Sequence, residues 1–183
     1  MRRALAGLAV LSVLLVGVAA AEESMIERFE AGAEERWRFF TDQVMGGAST
    51  GRVTLLSEGE THFARMTGTV STENNGGFIQ MRLDLPAGAA EGATGVRLVV
   101  RGNSQRYYVH LRTRGTRLPW QYYQAGFDVG PGWAEIRLEL AAFRASGRLL
   151  ARTPDAEALT SLAVVAYGRD HAAEIDVAEV GFY

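Results

Sequence analysis

Apolar and polar residues alternate along most of this chain. The clearest run is Phe78–Leu85, where Ile79, Met81, Leu83 and Leu85 share one face and Phe78, Gln80, Arg82 and Asp84 the other. A period of two marks a β-strand with one buried face, because successive side chains point to opposite sides of a sheet. The same period predicts strands over Gly51–Leu56 and His62–Ser71, parted by the turn SEGE, then over Val96–Arg101 and Tyr107–Thr113. Gln121–Val129 and Trp133–Leu140 follow, split by GPG, and Leu162–Tyr167 and Ala173–Tyr183 close the chain. PAGAAEGATG and Ala141–Arg148 lack the period and read as loops; AGAEERW reads as a turn or short helix, and Thr153–Thr160 as a helical turn or two. Roughly nine or ten short strands, with turn signals about every eight to twelve residues, predict an all-β sandwich or barrel. No repeat, low-complexity tract or linker interrupts the pattern, so a single domain is expected.

The N-terminus departs from it. Arg2 and Arg3 precede the almost wholly apolar Ala4–Val18, then the small residues Ala19–Ala21, then Glu22 and Glu23. This three-part pattern predicts a secretory signal peptide over residues 1–21, cleaved near Ala20 or Ala21, with residues 22–183 as the mature domain. The expected location is therefore exported, periplasmic in a bacterium, with no membrane span after cleavage. An uncleaved N-terminal membrane anchor is the alternative, since Ala4–Ala21 is only just long enough to span.

Composition narrows the partners. All nineteen basic residues are arginine, which together with the many alanines and glycines fits the codon bias of a GC-rich bacterial genome. Without Arg2 and Arg3, seventeen arginines face twenty-one acidic residues, and no basic block exists. That balance argues against nucleic acid as a partner. The absence of cysteine excludes disulfides, thiol chemistry and thiolate metal sites.

Catalytic patterns are missing. No serine sits in a G-x-S-x-G elbow, and His62, His110 and His171 share no motif. Nothing resembles a histidine metal pair or an aspartate-rich calcium loop, so neither metal nor cofactor is expected. Asp42, Glu73, Asp128 and Glu135 supply carboxylates for a glycosidase-like pair, but spacing does not choose among them. An enzyme on this scaffold ranks last, and no catalytic residue is assigned.

Two glycine-rich loops stand out instead: DQVMGGAS, Asp42–Ser49, and ENNGGF, Glu73–Phe78. The plain reading of the second is a hairpin with Asn75-Gly76 in a type I′ turn, whose central residues both need positive φ. In the first, Val44 and Met45 are expected to pack inward. Both loops also carry carboxylates and amides suited to the rim of a binding site. Aromatic residues gather at Trp37, Phe39 and Phe40 and again at Trp120, Tyr122 and Tyr123. Arg82, Arg97, Arg101, His110 and Arg112 fall on the polar faces of their strands. If those strands are neighbours, they form one arginine-rich surface; the competing reading is an ordinary solvated face with Arg–Glu pairs.

The order W-x-F-x-T-D-Q-V-M-G-G-A-S, ENNGGF, RGNSQRYYVHLRT, WQYYQAGFDVGPGW and SLAVVAYGRDHAAEIDVAEVGFY resembles the complex I intermediate-associated protein 30 family. The resemblance runs from about Phe29 to Tyr183. Asp42, Met45, Gly46, Gly47 and Ser49 meet its first motif, and Asn74, Asn75, Gly76, Gly77 and Phe78 its second. Arg101, Gly102 and Tyr107, then Tyr123, Phe127 and Trp133, match further positions. It implies a galactose-binding-like jelly-roll β-sandwich and an assembly-factor or chaperone-like role, as in relatives that help build the NADH:ubiquinone oxidoreductase. It defines no catalytic residues.

The expected function is thus non-enzymatic binding of a protein partner in the cell envelope. The alternative is a carbohydrate-binding module, with Trp120, Tyr122 and Tyr123 stacking on sugars and Asp42, Asn74, Asn75 and Arg112 bonding hydroxyls. Gln43 and Arg101 complete the candidate binding residues.

Overall fold

In a computed structural model describing residues 23–183, every run with the two-residue period becomes a strand. The leader expected over residues 1–21 lies outside the described residues. Five strands follow in the first half: β1 (Ser24–Glu27), β2 (Trp37–Thr41), β3 (Thr50–Glu58), β4 (Thr61–Val70) and β5 (Phe78–Asp84). Next come β6 (Gly95–Gly102), β7 (Arg106–Thr113), β8 (Tyr123–Asp128) and β9 (Ala134–Glu139). The short β10 (Arg144–Ala145) precedes β11 (Leu159–Tyr167) and β12 (His171–Phe182). One helical turn, α1 (Ala33–Arg36), and a few 3-10 turns complete the elements. Among the described residues no helix is long and apolar enough to cross a membrane.

The strands form two antiparallel sheets, ordered β3-β4-β12-β6-β9 and β10-β8-β7-β11-β5-β2. β1 pairs with the last residues of β12, on the edge that β4 leaves free beyond Val177. The chain crosses between sheets after β1, β2, β4, β5, β6, β8, β9 and β11, which produces a jelly-roll sandwich. Inward residues of both sheets make the core: Met66, Leu98 and Ile175 from the first meet Ile79, Met81, Leu111 and Leu162 from the second, all fully buried.

Three expectations need correcting. ENNGGF is not a hairpin, because β4 pairs with β12 in one sheet and β5 with β11 in the other. Its left-handed residues are Asn74 (φ 55°) and Asn75 (φ 59°), one position earlier than an Asn75-Gly76 turn requires; Gly76 lies at φ −76°. Val44 and Met45 do not pack inward. They occupy a 3-10 turn, Asp42–Met45, that turns them outward, leaving them 70% and 62% exposed. Finally, β6 and β7 belong to different sheets, so Arg97 and Arg101 lie on one outer face and Arg82, His110 and Arg112 on the opposite one.

Candidate functional site

The two glycine-rich loops meet through Asp42, which is fully buried. Its Oδ1 accepts from the Ser49 amide at 2.9 Å, and Oδ2 from the Ser49 hydroxyl and the Gly77 amide, each at 2.5 Å, and from the Phe78 amide at 3.2 Å. Burial pushes the Asp42 carboxyl up, but these hydrogen bonds outweigh it and hold the group below its ordinary range. Gly47 and Gly76 permit the approach: a Cβ would stand 2.3 Å from Asp42 Cγ at the first and 2.4 Å from Oδ2 at the second. The Gln43 amide is bonded to the Ser49 carbonyl at 3.0 Å, while Asn74 and Asn75 are exposed. Asp42 is thus occupied by its own chain, as a tie between sheets.

Arg101 also serves the fold. On the outer face of the first sheet it reaches Asp176 at 2.7 Å and Glu58 at 2.6 Å, and it lies over the Trp133 ring at 4.5 Å. Arg65 donates to both oxygens of the buried Asp176, at 2.6 and 2.7 Å, and Arg97 pairs with Glu179 and Glu135. This is the solvated face with Arg–carboxylate pairs that one reading anticipated.

The outer face of the second sheet differs. Cross-strand register lines up Gly126, Tyr108, Val165, Gln80 and Phe40 in one row and Gln124, His110, Ala163, Arg82 and Arg38 in the next. A third row holds Arg112, Ser161 and Asp84. The central strand β11 contributes only Ser161, Ala163 and Val165 to these rows, and all three are buried beneath the longer side chains on either side.

An aromatic ledge lies across this face. The His110 ring stacks on Tyr122 with centroids 4.0 Å apart and planes 8° from parallel. Tyr167 meets His110 edge-on at 5.6 Å and Tyr108 at 5.9 Å, and the Tyr122 hydroxyl donates to the Tyr167 hydroxyl at 3.3 Å. His110 Nε2 lies 2.9 Å from Gln124 Oε1. Burial lowers the His110 pKa to about 4, against a smaller opposing effect of Gln124, so the ring is neutral at pH 7 and Nε2–H donates to the amide. Burial, and then the Tyr167 hydroxyl, push the Tyr122 phenol up.

Beyond the ledge lies an open hollow of about 490 Å³, lined by Arg82, Asp84, Arg112, Arg117, Pro119, Thr160 and Ser161. Arg112 donates to the carbonyls of Pro119 (2.9 Å), Leu118 (3.0 Å) and Thr116 (3.3 Å), which folds the β7–β8 loop against this end of the sheet. Arg82 lies over the Phe40 ring at 5.0 Å.

Of the nine candidate binding residues only Arg112 and Tyr122 meet on this face, joined by Arg82 and His110 from the polar-face residues read in the sequence. Trp120 is 65% exposed in the β7–β8 loop, and Tyr123 points into the core opposite Leu111. Gln80, Tyr108, Gln124 and Tyr167 complete the face; each lies on the polar side of its strand's alternation, but strand adjacency was needed to gather them. Among the described residues no three histidine, aspartate or glutamate side chains gather as a metal set.

A sequence model of the family described as Complex I intermediate-associated protein 30 matches residues 28–172. No curated protein matches the chain. Among solved structures, the chain is similar to a family 11 carbohydrate-binding module of a cellulosomal cellulase of Clostridium thermocellum. That match has a TM-score of 0.72 at 14% identity, covering 90% of this chain and 95% of the module. The family 11 module from the same organism in complex with a β-1,3-1,4-mixed-linked tetrasaccharide gives 0.71 at 14% identity, with 90% and 96% covered. A family 30 carbohydrate-binding module of another cellulosomal cellulase of that organism gives 0.52 at 9%, with 72% and 81% covered. At these identities the likeness establishes the jelly-roll sandwich fold.

Proposed function

The chain belongs to the complex I intermediate-associated protein 30 family, and from that premise and the geometry of its second sheet we propose that it is a non-catalytic module binding a saccharide. The observation that carries this reading is the ledge of Tyr108, Tyr122 and Tyr167, with Gln80, Gln124 and Arg82 beside it on the same sheet face. A pyranose presents an apolar C–H face and a rim of hydroxyls. Aromatic rings take the first, and amides and guanidinium groups take the second. Stacking on His110 holds Tyr122 in one orientation, which reduces the side-chain entropy lost on binding. The same fold in carbohydrate-binding modules supports the reading.

Isothermal titration with mixed-linked β-glucan oligosaccharides and with other oligosaccharides tests it. Binding that disappears in Tyr122→Ala, with melting unchanged, is the expected result. Absence of heat with every saccharide would sink the proposal.

A second reading, assembly of an envelope complex through a protein partner, draws on a different observation. Val44 and Met45 stand exposed inside the family motif, and apolar side chains on a fixed turn suit docking. Its test is a cross-linked pull-down from the cell envelope, lost on Val44→Ser with Met45→Ser. In either case we place the protein outside the cytoplasm on the pattern of residues 1–21. N-terminal sequencing of the purified protein would find a start near Glu22, or Met1 if that placement is wrong.

A further inference from the structure

The two outer faces treat arginine differently. On the first sheet, Arg65, Arg97 and Arg101 each meet carboxylates at 2.6–2.8 Å. On the second sheet, Arg82 comes no nearer than 3.7 Å to Asp84, and that carboxylate is already held by Arg38. The Arg82 Nε is buried with no hydrogen-bond partner. Arg112 is met by three neutral carbonyls and by no carboxylate. Burial, and then the charge of Arg82, hold the Arg112 guanidinium below its ordinary range, so the two cations oppose each other across β11.

A buried donor without an acceptor is costly, and two neighbouring cations add to the cost. Three arginines against one aspartate give the hollow a local charge of +2, on a chain whose formal net charge is −2. Apart from the Asp84 carboxylate, the polar side chains around it can donate: guanidinium N–H and the hydroxyls of Thr160 and Ser161. The missing component is an anion with several acceptor oxygens, and a planar carboxylate suits a guanidinium fork.

We propose that this hollow is a carboxylate subsite and that the face takes an acidic saccharide, a uronic acid oligomer. The carboxylate lies between Arg82 and Arg112, and the adjoining sugar ring lies against Tyr122. The inference rests on the saccharide reading of the face and adds the class of sugar to it.

The experiment is titration calorimetry of the purified protein with trigalacturonate, with neutral cellotriose and with acetate alone. Trigalacturonate is expected to bind at least about tenfold more tightly than cellotriose, in keeping with a charge-assisted pair. That advantage is expected to shrink between about 0.05 M and about 0.5 M NaCl as the charges are screened. Arg82→Gln is expected to bring trigalacturonate down to the affinity that cellotriose has for the same variant, and Arg82→Lys retains part of the preference. Arg82 is the position to change because Arg112 also holds the β7–β8 loop, and melting curves check that each variant folds.

Equal affinity for the acidic and neutral trimers overturns the carboxylate subsite but leaves the saccharide reading standing. So does an undiminished preference in a folded Arg82→Gln protein. Acetate binding as tightly as the trimer, and lost in Arg82→Gln, keeps the subsite and removes the saccharide. Silence from all three probes overturns both.

Discussion

Asp42 accepts four hydrogen bonds from Ser49, Gly77 and Phe78 and is fully buried. Asp42→Ala leaves those donors without an acceptor, and the expected loss is about 3 kcal/mol of stability. Urea unfolding measures it; a loss under about 0.5 kcal/mol, the size of an ordinary surface substitution, would mean the tie is not made. His110 gives a pH signature. Its folded pKa, about 4, lies below the ordinary 6.5, so below pH 6.5 the unfolded chain takes up the proton first. Its contribution is therefore complete above pH 6.5 and is lost as pH falls through about 4, a change of about 3 kcal/mol. A His110 ring that titrates near 6.5 by NMR in the folded protein would contradict the buried, neutral ring. At this scale the sequence was legible in type but not in direction. Tyr122 and Tyr123 are both aromatic candidates, yet one step along a strand reverses the face, and only the register with Leu111 shows that Tyr123 enters the core.

Glu27 ties three elements together. Its Oε1 accepts from the amides of Arg28 (2.9 Å) and Phe29 (2.7 Å) and from Arg36 (2.8 Å), while Oε2 accepts from Arg36 and from the Trp37 indole, each at 3.0 Å. The end of β1, the turn α1 and the start of β2 are joined in this way, with Phe29 stacked on Trp37 at 5.3 Å. Burial raises the Glu27 carboxyl, but the Arg36, Phe29 and Trp37 hydrogen bonds more than offset it and hold the group ionised below its usual range. Glu27→Ala is expected to cost about 3 kcal/mol, because the buried Phe29 amide and Trp37 indole N–H lose their acceptor. Hydrogen exchange should then open β1 before the rest of the first sheet; uniform protection across that sheet would refute the tie. The two-residue period found nine strands and passed over β1, β2 and β10. Two of these are only four and two residues long, and β2 (WRFFT) puts adjacent phenylalanines on opposite faces. Such edge segments are made by pairing with a neighbour more than by their own alternation.

Across the whole molecule the two outer faces of the sandwich differ in how their charges are paired. The first sheet's outer face is closed by Arg–carboxylate pairs around Asp176, and the second sheet's face carries the aromatic ledge, the hollow and the uncompensated arginines. Substitutions on opposite faces should then act independently. Arg101→Gln is expected to lower the melting temperature and leave oligosaccharide affinity unchanged, whereas Tyr122→Ala does the reverse. Calorimetry paired with thermal melting separates the two, and a loss of affinity in Arg101→Gln would show that the faces are coupled.

The sequence by itself determined that the chain is all-β, which residues of each regular strand face inward, and that the two glycine-rich loops carry family motifs. These follow from local alternation and from residues quoted in order. Only the tertiary structure decided which strands are neighbours. It therefore decided that Arg97 and Arg101 sit on the sheet opposite Arg82 and Arg112, that ENNGGF joins two sheets and closes no hairpin, and that Val44 and Met45 face outward. The physical reason is that strand pairing is made between segments distant in sequence. Alternation says which side of a strand is polar, but the partner across the ladder decides what that polar side is for.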